Sequence, residues 1–282
     1  MTIKAFNKIN KTEKLKQLMS CCGSSTWADL MLKQFPFADE KDLVDAAIDT
    51  WYNQCNSMDW LESFTHHPKI GDIKSLTKKF AGKEQASVAA ATKKTIAALA
   101  EANTEYEAKF GFIFIVCATG KSATEMLRLL EDRLSNTIGE ELHSAMGEQM
   151  KITILRFQKL ITEGDWSLLK PGQLTTHVLD TAVGKPGKDI SIRLQIPVNG
   201  VWQTIAQGIT NADGRIADLL PAQKQLAHGN YKLVFDTGNY FASQKIKGFY
   251  PEVEIQFIVF DDAHYHVPLL INPFGYSTYR GS

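Results

Sequence analysis

The sequence has no surplus of charge: 31 Lys and Arg face 31 Asp and Glu, for a formal net charge of zero over 282 residues. Neither nucleic acid nor an anionic bilayer is therefore an expected partner, because the composition supplies no attraction to phosphate. Runs of apolar residues long enough to cross a membrane are absent as well. The opening "TIKAFNKINKTEKLKQL" lacks the apolar stretch of a secretory leader, and the closing "RGS" is not the Ser-Lys-Leu peroxisomal address. The expected location is cytoplasmic. Cysteine is scarce: Cys21, Cys22, Cys55 and Cys117 all lie in the first half, without zinc-type spacing or a disulfide framework, and read as reduced, mostly buried thiols. There is no internal repeat and no low-complexity tract.

What is present changes character near residue 170. Before it, apolar residues recur at helical spacing: Leu15, Leu18, Met19 and Cys22 share one face, and so do Leu43, Ala46, Ala47 and Trp51. The stretch "EQASVAAATKKTIAALAEANTEYEAKFG" is rich in helix formers and should stop at Gly111. Ser122-x-x-Glu125 reads as a capping box opening "TEMLRLLEDRL", and a long amphipathic segment runs through "GEELHSAMGEQMKITILRFQKLI". Beyond "EGDWSLLKPGQ" the period switches. "ISIRLQI" alternates Ile190, Ile192, Leu194 and Ile196 with polar residues, "NADGR" holds an Asp-Gly turn, and "YKLVF", "EVEIQFIVF" and "HYHVPLLI" follow, the last two expected to form a hairpin at Asp261-Asp262. The expected architecture is an all-α domain over residues 1–165, then a β-sandwich over 173–282.

Chemistry-bearing residues of the second half sit at strand edges: His177 in "LTTHVLD", Arg215 in "NADGR", and His264 and His266 in "HYHVP". Each alone fits a surface group or a satisfied core histidine. His264-x-His266 is read as placing its two rings on opposite faces of a strand, unable to chelate one metal, and no third ligand at matching spacing is evident, so no metal site is expected. Together, "LTTHVLDTAVGKPG" and "HYHVPLLINPFGYSTYRGS" resemble the opening and closing motifs of the transthyretin-related family, and of its 5-hydroxyisourate hydrolase branch in particular, over residues 173–282. The resemblance implies a transthyretin-like β-sandwich that oligomerises, with active sites at a subunit interface, and a site built from His177, Arg215, His266, Tyr279 and Ser282. Those residue types suit the reaction. Histidine transfers protons near neutral pH, Arg steadies a developing oxyanion, and hydroxyls donate or accept.

In the first half, "ESFTHHPKIGD", "KEQASV", "FGFIFIVCATGKSATEML" and "EQMKITILRFQKL" are individually weak signals: a loop histidine is commonly a solvated group, and Arg156 fits an ordinary surface charge. In this order they resemble the 2-oxo-4-hydroxy-4-carboxy-5-ureidoimidazoline (OHCU) decarboxylases, over about residues 5–162, with His67 to Asp72 the most diagnostic part. The resemblance implies that His67 is the catalytic acid/base and that Glu84 and Arg156 bind substrate. Pro68, Gln85 and the stretch from Phe112 through Lys121 to Ser122 would line the pocket. Neither resemblance implies a cofactor.

The two resemblances name consecutive reactions, hydrolysis of 5-hydroxyisourate to OHCU and decarboxylation of OHCU to (S)-allantoin. The expected function is therefore bifunctional, on small-molecule substrates. The competing readings are a non-catalytic transthyretin-like binding or scaffold protein, and a chain with one active domain. A degenerate binder should have lost some of His67, Glu84, Arg156, His177, Arg215 or the final serine, and all are present.

Overall fold

The first half meets the orphan N–H groups of its helices with short polar side chains, and those caps set the element boundaries. The computed structural model describes residues 1–67, 86–119, 121–216 and 218–281, and of residues 86–93 the backbone alone. Its first unit, Met1–Leu169, contains α1 (Ile3–Lys8), α2 (Lys11–Cys22), α3 (Ser25–Leu32), α4 (Glu40–Asp49), α5 (Ser57–Thr65), α6 (Ala86–Phe110), α7 (Ala123–Arg133) and α8 (Ile138–Leu160). Asn10, Ser24 and Asp39 cap α2, α3 and α4, and capping boxes open α5 (Asn56/Asp59), α7 (Ser122/Glu125) and α8 (Thr137/Glu140). Gly111, with φ +77°, terminates α6 where the sequence places the stop.

Apolar faces converge on Trp27, Trp51, Phe64, Tyr106 and Phe157, all fully buried, and the indole N–H groups of Trp27 and Trp51 donate to the carbonyls of Ala47 and Met146 at 3.1 and 2.9 Å. Against this core α8 also buries polar residues: Glu141, Ser144, Glu148, Gln149, Lys151 and Thr153. Burying so many polar groups on one helix calls for partners, and of these six side chains all but the Ser144 hydroxyl have one. Arg133 meets Glu141 in a fully buried ion pair joined by the Tyr106 hydroxyl, and Lys151 meets Glu148 at 2.5 Å.

The second unit, Lys170–Ser282, contains two four-stranded sheets. One has the order β10 (Gly275–Thr278), β9 (Leu269–Asn272), β2 (Val178–Asp180), β3 (Lys185–Pro186). The other runs β5 (Val201–Ile209), β4 (Ser191–Val198), β6 (Gly229–Phe235), β7 (Val253–Val259). Their inner faces share a core that includes Val178, Ile192, Leu194, Leu233, Phe235, Val259, Leu269 and Ile271. A short parallel pair joins β1 (Leu174–Thr175) to β8 (Tyr265–His266).

Two sequence expectations need correction. The Asp261-Asp262 link is not a hairpin: β7 belongs to one sheet, while the chain after it pairs with β1 and then enters the other sheet. The Asp261 carboxylate accepts from the Ala263 N–H and the Tyr265 hydroxyl, and Gln173 Nε2 donates to the carbonyls of Asp261 and Ala263, so the segment turns across the sandwich. A helix α9 (Thr237–Ser243), capped by Asp236, also interrupts the run of strands; seven residues are too few to display a helical period. Among the described residues no helix is long and apolar enough to cross a membrane.

Candidate active sites

In the helical unit, α2 ends at Gly23, where φ is +87° and a Cβ would lie 2.9 Å from His66 Cβ, leaving no room for a side chain. The freed carbonyls of α2 dock on the polar face of α8. Arg156 donates to the carbonyl of Cys21 at 3.0 Å, and Gln149 Nε2 donates to that of Cys22 at 3.0 Å. Gln149, Thr153 and Arg156 are spaced by four and three residues, hence on one helical face. His67, just past the end of α5, lands on this face: its Nε2 lies 2.6 Å from Gln149 Oε1. Burial, then the Arg156 charge, pushes His67 down to about 4. The ring is therefore neutral at pH 7, beside a cation that retains donors not used by α2.

The other expected pocket residues of this unit are placed differently. Phe112 is buried, packed on Phe64 at 5.3 Å between ring centroids and edge-on to Tyr106. Lys121 Nζ donates to the Cys117 carbonyl, and the Ser122 hydroxyl is taken up in the α7 cap. Glu148, one residue before Gln149, accepts the Cys117 N–H at 2.6 Å and so ties the backbone at Cys117 to α8. Pro68, Glu84 and Gln85 lie outside the described residues. All four cysteines are buried and free, with burial pushing Cys21 up to about 11 and Cys55 to about 12, as expected of inert core thiols.

In the β-rich unit, His177, Arg215 and His266 come together from three separate segments. His177 and Arg215 form an isolated antiparallel bridge, secured by the Val178 N–H donating to the Gly214 carbonyl at 2.8 Å. Gly214, φ +70°, is the glycine of the expected Asp-Gly turn; a Cβ there would lie 2.3 Å from the Val178 carbonyl oxygen. His266 makes a second bridge, to Gly281, whose N–H donates to the His266 carbonyl at 2.8 Å. Burial lowers both His177 and His266 from the ordinary imidazole value, and the Arg215 guanidinium lowers each further. Tyr279 is 60% exposed, Arg280 stacks over Phe260 and Tyr265, and Ser282 lies outside the described residues.

The expected opposite facing of His264 and His266 is wrong. Residues two apart share a strand face, and both rings reach the same hydroxyl: Thr175 Oγ1 lies 2.8 Å from His264 Nε2 and 2.9 Å from His266 Nδ1. Among the described residues no group of three or more His, Cys, Asp or Glu side chains is arranged to hold a metal ion.

Comparison with known families fits this division. The OHCU decarboxylase family model matches residues 7–158, and that of the HIUase/transthyretin family matches residues 174–281. The chain belongs to both families. It is similar along its length to the uric acid degradation bifunctional protein TTL of Arabidopsis thaliana, 34% identical with 93% of this chain and 96% of that one covered. The 5-hydroxyisourate hydrolase of Mesorhizobium japonicum is 48% identical over 39% of this chain and 93% of its own. A solved (S)-allantoin synthase structure aligns over all of both chains at 26% identity with a TM-score of 0.44.

The chain thus has the layout of a bifunctional urate-degradation protein, an OHCU decarboxylase domain ahead of a 5-hydroxyisourate hydrolase domain. Sequence reasoning overlooked two residues at these sites. Gln149 sits on the same helical face as Arg156, two turns before it, which was the available signal. Thr175 sits two residues before His177, and its link to the "HYH" segment depends on a parallel pairing that no local pattern announces.

Proposed function

We propose that the β-rich domain hydrolyses 5-hydroxyisourate to OHCU and that the helical domain decarboxylates OHCU to (S)-allantoin, with no cofactor in either step. In the hydrolase, a water attacks the acyl carbon of the ring. His177 and His266 are held neutral by burial and by Arg215, so either can accept the water's proton near neutral pH. Arg215 faces the oxygen on which charge develops. The hydroxyls of Tyr279 and Ser282 complete the pocket, at an interface with a second copy of the chain. The exposure of Tyr276 and Tyr279 in the single chain supports that last element.

In the decarboxylase, Arg156 pairs with the substrate carboxylate, and Glu84 accepts from ureido and ring N–H groups. Departure of carbon dioxide from C4 pushes its electron pair onto the neighbouring C5 imine, whose nitrogen takes a proton from solvent, leaving an enol at C4. Collapse of that enol to the C4 carbonyl releases the hydroxyl proton, and C5 must gain one on a single face. A neutral His67 can do both, taking the proton from oxygen and returning it to carbon. Pro68, Gln85, Phe112, Lys121 and Ser122 are assigned to the surrounding wall. The cytoplasmic location stays part of this reading.

The observation that carries it is the placement of a neutral, half-buried His67 beside Arg156 in one unit and of His177, Arg215 and His266 together in the other. The test is to follow both steps on the purified chain and on two variants. His67→Asn should abolish OHCU consumption beyond its spontaneous rate and leave hydrolysis intact, with His66→Asn largely active. Arg215→Gln should do the reverse. A chain inert in both assays would favour a binding or scaffold role.

A further inference from the structure

The carboxamide of Gln149 has only one orientation that satisfies its surroundings. Its nitrogen lies 3.0 Å from the Cys22 carbonyl, which can only accept, and 3.3 Å from Thr153 Oγ1. The Thr153 hydrogen is itself directed at main-chain carbonyls, those of Gln149 at 3.0 Å and Cys21 at 3.4 Å, so the oxygen turns a lone pair to the amide. Both neighbours therefore demand the N–H₂ end. Gln149 Oε1 is left facing His67 Nε2 at 2.6 Å, and an amide oxygen can only accept. We propose that Gln149 is a positioning residue that fixes His67 as the Nε2–H tautomer, so that Nδ1 is the nitrogen that takes and returns the substrate proton.

Three further observations fit. Gln149 is fully buried, so no water competes for its oxygen. Its amide nitrogen is tethered to the C-terminus of α2, the same end that Arg156 holds, so ring orientation and cation are referenced to one frame. A bare Nε2 on His67 would leave the buried Gln149 oxygen unpaired and facing a lone pair, at a desolvation cost. Deprotonation of the substrate hydroxyl places the proton on Nδ1 and makes the ring a cation. Delivery to C5 returns it to the neutral Nε2–H form, so the Nε2 proton is a spectator throughout. A histidine offering the wrong nitrogen is severely impaired: in triad hydrolases, loss of the tautomer-setting group lowers kcat on the order of 10⁴-fold.

This inference rests on the proposed role of His67, and the experiment separates the two. Long-range ¹H–¹⁵N correlation of the His67 ring in the full chain at neutral pH, assigned by its loss in His67→Asn, should show protonated Nε2 and bare Nδ1. In Gln149→Leu the ring should populate the Nδ1–H form, and decarboxylase kcat should fall at least about tenfold with a smaller change in KM. Hydrolysis by the same chains should be unchanged. Gln149→Asn, whose shorter amide cannot span Cys22 and His67 together, should resemble the leucine variant. An Nδ1–H ring in the unsubstituted chain overturns the inference whatever the variants do, and so does a Gln149→Leu enzyme with unaltered tautomer and rate. Full decarboxylation by His67→Asn would instead remove the underlying role of His67 and leave the tautomer readout standing.

Discussion

At the scale of single residues, the charge state of three histidines governs how each activity responds to pH. His67 is pushed down to about 4 by burial and the Arg156 charge. The kcat/KM of the decarboxylase reports free-enzyme groups, so its His67 limb should fall as pH drops through about 4 rather than through the ordinary 6.5. Bound substrate brings a carboxylate that favours the imidazolium, which should move the corresponding limb in kcat upward. A kcat/KM limb at or above 6.5 that disappears in His67→Asn would contradict the assigned environment. The stability sign follows from the same lowering. Between about 6.5 and about 4 the unfolded chain binds a proton that the folded chain refuses, so acid in that window destabilises the helical unit. His177 and His266 are lowered too, and hydrolysis should likewise hold below pH 6.5. Gly281 gives a steric test: a Cβ there would lie 2.4 Å from His266 Cδ2. Gly281→Ala should displace that ring or its bridge, and a shift of about 1 Å can cost on the order of a hundredfold in rate. Steady-state hydrolysis should fall accordingly and decarboxylation should not; an unimpaired hydrolase would mean the bridge has no bearing on the site.

At the scale of elements, α8 is the beam on which the decarboxylase is built. It holds Gln149 and Arg156 toward α2 and His67, Glu148 toward the Cys117 backbone, and Glu141 toward Arg133. The Arg133–Glu141 pair is buried on both sides, and removing one partner from such a pair typically costs about 3–5 kcal/mol because the other charge stays stranded. Arg133→Leu should therefore lower the melting transition of the helical unit by roughly 10 °C, read by far-UV circular dichroism, with the β-rich transition unmoved. An unchanged melt would mean the Glu141 carboxylate relaxes at little cost. Much of this level could be read from the sequence. Helical periods, the Ser122 and Gly111 boundaries and the switch to alternation near 170 are local patterns, and the caps that obey them are local hydrogen bonds. What escaped is non-local or too short: the crossing at Asp261, the seven-residue α9, and the Thr175 contact with both His264 and His266. The last was misjudged through a wrong count of strand faces, since i and i+2 lie on the same side. The candidate residues His67, Arg156, His177, Arg215 and His266 came from motif resemblance, and only the fold could supply their partners.

At the scale of the whole molecule, the division at Leu169–Lys170 predicts separable chemistry. Residues 1–169 and 170–282, produced as two proteins, should each retain their own step, measured with OHCU and with 5-hydroxyisourate respectively. Loss of one step in its isolated half would show that the other half completes that site. Mixed halves should let OHCU accumulate more than the intact chain does, if covalent linkage raises the effective concentration of the second site around its substrate. The same junction has a bearing on stoichiometry inside a cell. Two enzymes encoded apart drift in relative abundance with every fluctuation in transcription, translation and turnover, and an unstable intermediate pools whenever the first outnumbers the second. One polypeptide holds the copy ratio at unity. The balance between the steps is then set by the kinetics of the two sites and their linkage, and expression can raise or lower the flux but cannot skew it.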